Sequence, residues 1–75
     1  MSFELRSTAD LVMIAAAGGG FRLDARMRPA DELVQIAAAA SGAGARVTFA
    51  GLKLRPTPEL IRIAAAGAGC VCLED

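Results

Sequence analysis

A thirteen-residue pattern occurs three times, without gaps, in a chain of only 75 residues. Its copies are Leu5–Ala17, Met27–Ala39 and Leu54–Ala66. Each reads as an aliphatic residue, Arg, Ser or Pro, two variable positions and an acid. Leu, Val or Ile, a variable position, Ile and Ala-Ala-Ala complete it. Internal repetition of this kind means that one small unit is stacked on its neighbours, because a single unit cannot bury its own apolar face. The spacing is uneven, with Ile14, Ile36 and Ile63 separated by 22 and then 27 residues. The extra length falls at Ser41-Gly42-Ala43-Gly44 and around Gly51, where loops absorb it.

Each copy predicts a helix. Leu11, Ile14 and Ala15, with Leu33, Ile36 and Ala37 and then Leu60, Ile63 and Ala64, recur at helical spacing and mark a buried face. Ser7 or Thr8 is placed to cap the first helix, with Asp10 at the capping-box position. Pro29 suits the first turn of the second, and Thr57-Pro58-Glu59 supplies a cap, a first-turn proline and an acid for the third. Gly18-Gly19-Gly20, Gly42 and Gly67 are the expected stops. The alanine triplets read as a close-packing device, so Leu at one or more of Ala37, Ala38 and Ala39 should be costly through overpacking.

Between the helices the period changes from 3.6 to 2. Ser2–Leu5, Phe21–Asp24, Arg46–Phe49 and Cys70–Glu74 alternate and predict strands. The expected fold is therefore α/β, a two-layer β-α repeat with four parallel strands in the order 1-2-3-4. One domain spans 1–75, in repeats of about 2–20, 21–44 and 45–69 with a closing strand at 70–74. Alternation, as opposed to continuous apolar runs, implies a sheet covered on one face only, with all three helices on that side. Phe3, Leu5, Phe21, Leu23, Val47, Phe49, Val71 and Leu73 form the inward face. The layout is similar in outline to leucine-rich-repeat and other α/β solenoids. The asparagine-containing consensus of leucine-rich repeats is absent, so the likeness is architectural and carries no residue roles.

Composition removes most chemistry. There is no His, hence no Ser/His or Cys/His nucleophile and no imidazole metal ligand. Eight Lys+Arg balance eight Asp+Glu, and Trp and Tyr are absent, which argues against nucleic acid as a partner. Cys70 and Cys72 are too few for a disulfide framework or a complete metal site. The glycine stretches follow helices and precede strands, the reverse of a phosphate loop. No catalytic residue, metal or cofactor is expected. Leu11–Ala17 resembles the apolar core of a signal peptide, but it follows Glu4 and Asp10 and recurs twice inside the chain. The longest uncharged runs, such as Ile63–Leu73, fall short of the roughly 20 residues that cross a bilayer. A cytoplasmic location is the expectation, and the Ala-, Gly- and Arg-rich composition suggests a bacterial source.

Two functional readings follow. Arg6, Arg28 and Arg55 each follow a strand and precede a helix, so they should line one rim at the helix N-termini, where a small anion such as phosphate would be favoured. Pairing of each Arg with the acid four residues on (Asp10, Glu32, Glu59) is the structural alternative. The preferred reading is a non-enzymatic protein-interaction module. The terminal strands near Phe3 and Val71 leave open edges that invite an antiparallel strand dimer or a partner's strand. Phe3, Cys70, Val71 and Cys72 are the candidate edge residues, and Arg22, Arg46 and Thr48 offer the open face as a second contact, with homo-oligomerisation expected.

Overall fold

The computed structural model describes residues 7–26 and 28–74. Three helices alternate with three strands: α1 (Thr8–Ala16), β1 (Phe21–Asp24), α2 (Ala30–Ala43), β2 (Val47–Ala50), α3 (Thr57–Gly67) and β3 (Val71–Leu73). The strands form one parallel sheet in the order β1-β2-β3. The strand expected at Ser2–Leu5, with Phe3, and the residue Arg6 lie outside the described residues. In the gapless repeat alignment Ser2–Leu5 corresponds to 24–27 and 51–54. Asp24 closes β1, and residues 51–54 follow β2 as a turn, so alignment and alternation give different readings of that segment.

Register explains the core. Phe21, Val47 and Val71 are lateral partners, as are Leu23, Phe49 and Leu73. Leu23, Val47 and Phe49 are fully buried and Phe21 nearly so, in one cluster with Leu11, Leu33, Ile36 and Ile63 from the helices. The alternate column is Arg22, Thr48 and Cys72, of which the first and last are exposed. The sheet thus has one packed and one open face, and the helices lie side by side, α1 on α2 and α2 on α3. Hydrogen bonds from Val47 N to Cys70 O and from Glu74 N to Phe49 O extend the ladder one residue either side of β3. Arg46 and Cys70, expected inside strands, stand immediately before β2 and β3.

The helix starts fall in one repeat column: Ser7, Pro29 and Pro56 are the N-caps. Ser7 Oγ accepts from Asp10 N at 3.2 Å, as expected. Thr57 is not the cap of α3 but its first residue, because Pro56, held extended, already supplies the carbonyl that Glu59 N and Leu60 N reach. Two of the expected stops also shift. Helix α2 runs through Gly42 and ends at Gly44, whose left-handed φ of 69° is cheap only without a Cβ. Gly67 lies inside α3, where a Cβ would collide with the Val71 side chain; the left-handed turn falls to Ala68.

Burial along the helices departs from the uniform face expected. Ala15 and Ala37 are buried, whereas Ala64 in the same column is exposed. Leu11 and Leu33 are buried, but Leu60 is only half-buried; Ile14 is half-buried where Ile36 and Ile63 are covered. This gives a matched test of close packing. Ala37→Leu should cost about 1–3 kcal/mol through overpacking. Ala38→Leu and Ala64→Leu, both exposed sites, should stay within about 0.5 kcal/mol of wild type in urea melts. Equal costs at the three positions would refute the packing role of the small residues.

Candidate interaction surface

Two of the expected rim arginines, Arg28 and Arg55, turn inward. Arg28 Nη1 donates to Thr8 Oγ1 at 2.8 Å and pairs with Glu32 at 3.8 Å, while Thr8 donates to the same Glu32 carboxylate. Arg55 Nη1 bonds Glu59 at 3.1 Å; its Nη2 donates to the carbonyl of Ala25 at 2.8 Å and to that of Arg28. Both side chains are largely buried, 12% and 15% exposed. Each arginine therefore ties its own helix start to the preceding repeat, Arg28 to α1 and Arg55 to the loop before α2. The (i, i+4) acid pairing raised by the sequence is present, and the cross-repeat bonds add to it.

Beside them the loops after β1 and β2 enclose an open groove of about 1000 Å³. Arg26 and Lys53, which the sequence reading passed over, line it with Asp24, Leu54, Arg28 and Arg55. Arg26 grips Asp24 through both carboxylate oxygens at 2.7 to 3.0 Å. The bonds from the Arg26 side chain, then from its backbone N–H, hold the Asp24 carboxyl below its ordinary pKa. A depressed acid stabilises the fold above its ordinary range, and that contribution fades as falling pH protonates it.

On the open face Arg22 reaches Glu74 at 2.8 Å, crossing the β2 strand that separates their strands. Thr48 lies half-buried in register between Arg22 and Cys72, and Arg46 is exposed. Cys70 is half-buried and Cys72 exposed, both as free thiols. Among the described residues no cluster of three potential metal ligands occurs. No helix among them is long and apolar enough to cross a membrane.

Four large apolar side chains stand exposed among the described residues: Met13 on α1, Leu54 in the loop before α3, and Ile61 and Leu73 at the α3/β3 end. Ile61 is 61% exposed, although its repeat counterparts Val12 and Val34 are half-buried against the core. Leu60 and Ala64 are likewise more exposed than Leu11 and Leu33, or Ala15 and Ala37. In the sheet Leu73 is 36% exposed, whereas its register partners Leu23 and Phe49 are covered. Among the described residues α1 has no preceding helix, yet Leu11 and Ala15 are fully buried. The helix packed against α1 is α2, and among the described residues no helix follows α3. The sequence located Cys70, Val71 and Cys72 at this end, gave Leu60 and Leu73 to the buried faces, and did not single out Ile61. Comparing the aligned columns for burial, not hydrophobicity, is the signal that finds them.

The chain matches no known protein family, no characterised protein and no solved structure. Its surface has to be read from its own geometry.

Proposed function

We propose that this chain is a short β-α solenoid segment that works as a protein-interaction module, presenting its α3/β3 end to another protein chain. One observation carries this reading: the positions that are buried or half-buried in α1 and α2 are each more exposed in α3, where Leu60 is half-buried and Ile61 and Ala64 are exposed. Burying an aliphatic side chain the size of Ile61 is worth about 1.5–3 kcal/mol, so an end carrying Leu60, Ile61, Val71 and Leu73 gains from cover. The β3 strand is paired on one side only among the described residues, which leaves its other edge for strand addition.

Light scattering or sedimentation across micromolar to millimolar concentration tests the reading. The mass of the wild type should rise with concentration. Ile61→Arg, a surface change that leaves the core intact, should raise the apparent dissociation constant about tenfold or more. A mass that stays at 7.7 kDa throughout, with Ile61→Arg indistinguishable from wild type, would remove the basis for it.

A further inference from the structure

The groove beside the helix starts carries an unbalanced charge, in a chain whose cations and acids are equal in number. Arg26, Arg28, Lys53 and Arg55 line it, against Asp24 and Glu59. The three arginines are already held by acids. Arg26 grips Asp24, Arg28 pairs with Glu32 from outside the lining, and Arg55 bonds Glu59. Lys53 is different. It is exposed, and among the described residues no carboxylate pairs with it. The surplus positive charge therefore rests on Lys53, with the arginines reinforcing the local field. An ammonium is a compact point charge with three donors, so it takes a carboxylate or a phosphate oxygen equally well.

The next residue supplies an apolar half. Leu54 is 95% exposed, the most exposed of the large apolar side chains, and lines the groove with Pro29 and Pro56. The loop that presents it is fixed from beneath. Leu52 is buried, its N–H donates to the Glu74 carbonyl, and its own carbonyl accepts from Arg55 N. The opposite wall is fixed as well. A Cβ at Gly51 would collide with the Arg26 stem and the Asp24 carboxylate, and Gly51 has a left-handed φ of 77°. Glycine there lets the Arg26–Asp24 pair lie against the β2 loop, so the two loops shape the groove without a ligand. The groove opens where Asp24 and Ala50 end β1 and β2. That is the edge of a parallel sheet at which α/β proteins hold their ligands.

We propose that this groove binds an amphiphilic anion, its single carboxylate or phosphate head at Lys53 and its aliphatic body over Leu54 between Pro29 and Pro56. The volume of about 1000 Å³ suits such a ligand, since small-molecule sites run to about 300–1,000 Å³. Head and body are both needed. A bare anion meets one solvated ammonium beside arginines that acids and carbonyls already hold, and a neutral hydrocarbon leaves that ammonium without a partner. The site is separate from the α3/β3 end and goes beyond the interaction reading.

Titrating octanoate and octyl phosphate, below their micelle concentrations, into isotope-labelled protein tests this by nuclear magnetic resonance. At least one of them should move the amide signals of residues 24–26 and 50–55 along a saturating curve in the millimolar range. The tighter of the two names the head group. Acetate, inorganic phosphate and octanol should each bind about tenfold more weakly or not at all. Lys53→Glu should weaken the amphiphile about tenfold or more, and Leu54→Ser about five- to tenfold. Both are exposed turn positions, and urea melts matching wild type confirm that the variants are folded. Ile61→Arg should leave the titration unchanged, so this site and the α3/β3 end stand or fall separately. Saturation that persists in both groove variants, or that Ile61→Arg abolishes, overturns the proposal. So does the lack of a saturable response to either amphiphile.

Discussion

Phe49→Ala should be the most damaging single change in this protein, costing about 3–5 kcal/mol. Phe49 heads the largest fully buried side chains and sits on the central strand between Leu23 and Leu73. A strand flanks it on each side, so removing its ring leaves a cavity in the middle of the core. A domain of 75 residues has a total stability of roughly 4–11 kcal/mol, and the variant should be largely unfolded at the lower figure. Leu73→Ala, in the same lateral column but on the uncovered strand, should cost less than about 1 kcal/mol at concentrations where the protein is monomeric. Urea midpoints for the two variants check the contrast. Equal losses would mean that β3 is as fully packed as β2, contrary to the exposure of Leu73.

The repeat made much of this architecture legible. Its N-cap column became Ser7, Pro29 and Pro56, and the change of period after each alanine triplet marked β1, β2 and β3. What the pattern did not carry was the difference between copies. Ala15, Ala37 and Ala64 are identical in sequence, and two are buried and one exposed solely because of what lies next to them in space. A single helix likewise has no letter that says Gly42 continues it while Gly44 ends it. The backbone decides that, by needing a left-handed residue where the Ala40 and Ser41 carbonyls accept from the cap N–H.

The candidate site was less legible than the fold for a related reason. Arg28 and Arg55 were found by repetition, as was their pairing with Glu32 and Glu59. Their reach to Thr8, and to the carbonyls of Ala25 and Arg28, joins residues 20 to 30 positions apart, and no local spacing encodes it. Exposed Ile61 and Ala64, beside half-buried Leu60, were hidden by their likeness to the better-covered columns of α1 and α2. In a repeat array the last interface has the composition of an interior, so hydrophobicity alone assigns it to the core.

Arg55 decides between the two roles the rim arginines were given. Its guanidinium satisfies two backbone carbonyls of the preceding loop and one Glu59 oxygen, at 15% side-chain exposure. Arg55→Ala leaves those acceptors without a donor in a largely buried place, at about 1–3 kcal/mol for each unsatisfied group. A total loss of about 2–4 kcal/mol is expected, since water reaches part of the site. Arg55→Lys should recover less than half of it, because a single ammonium lacks the planar fork that spans acceptors lying in different directions. Thermal and urea melts of the two variants, with and without inorganic phosphate, separate the possibilities. A joint between repeats predicts a large loss that phosphate does not alter. If instead Arg55→Ala kept wild-type stability and abolished a phosphate-induced rise in melting temperature, the side chain would belong to an anion site. The inward bonds favour the joint: both Nη groups of Arg55 are already engaged by Ala25, Arg28 and Glu59, and its remaining Nε donor is buried away from solvent without a partner.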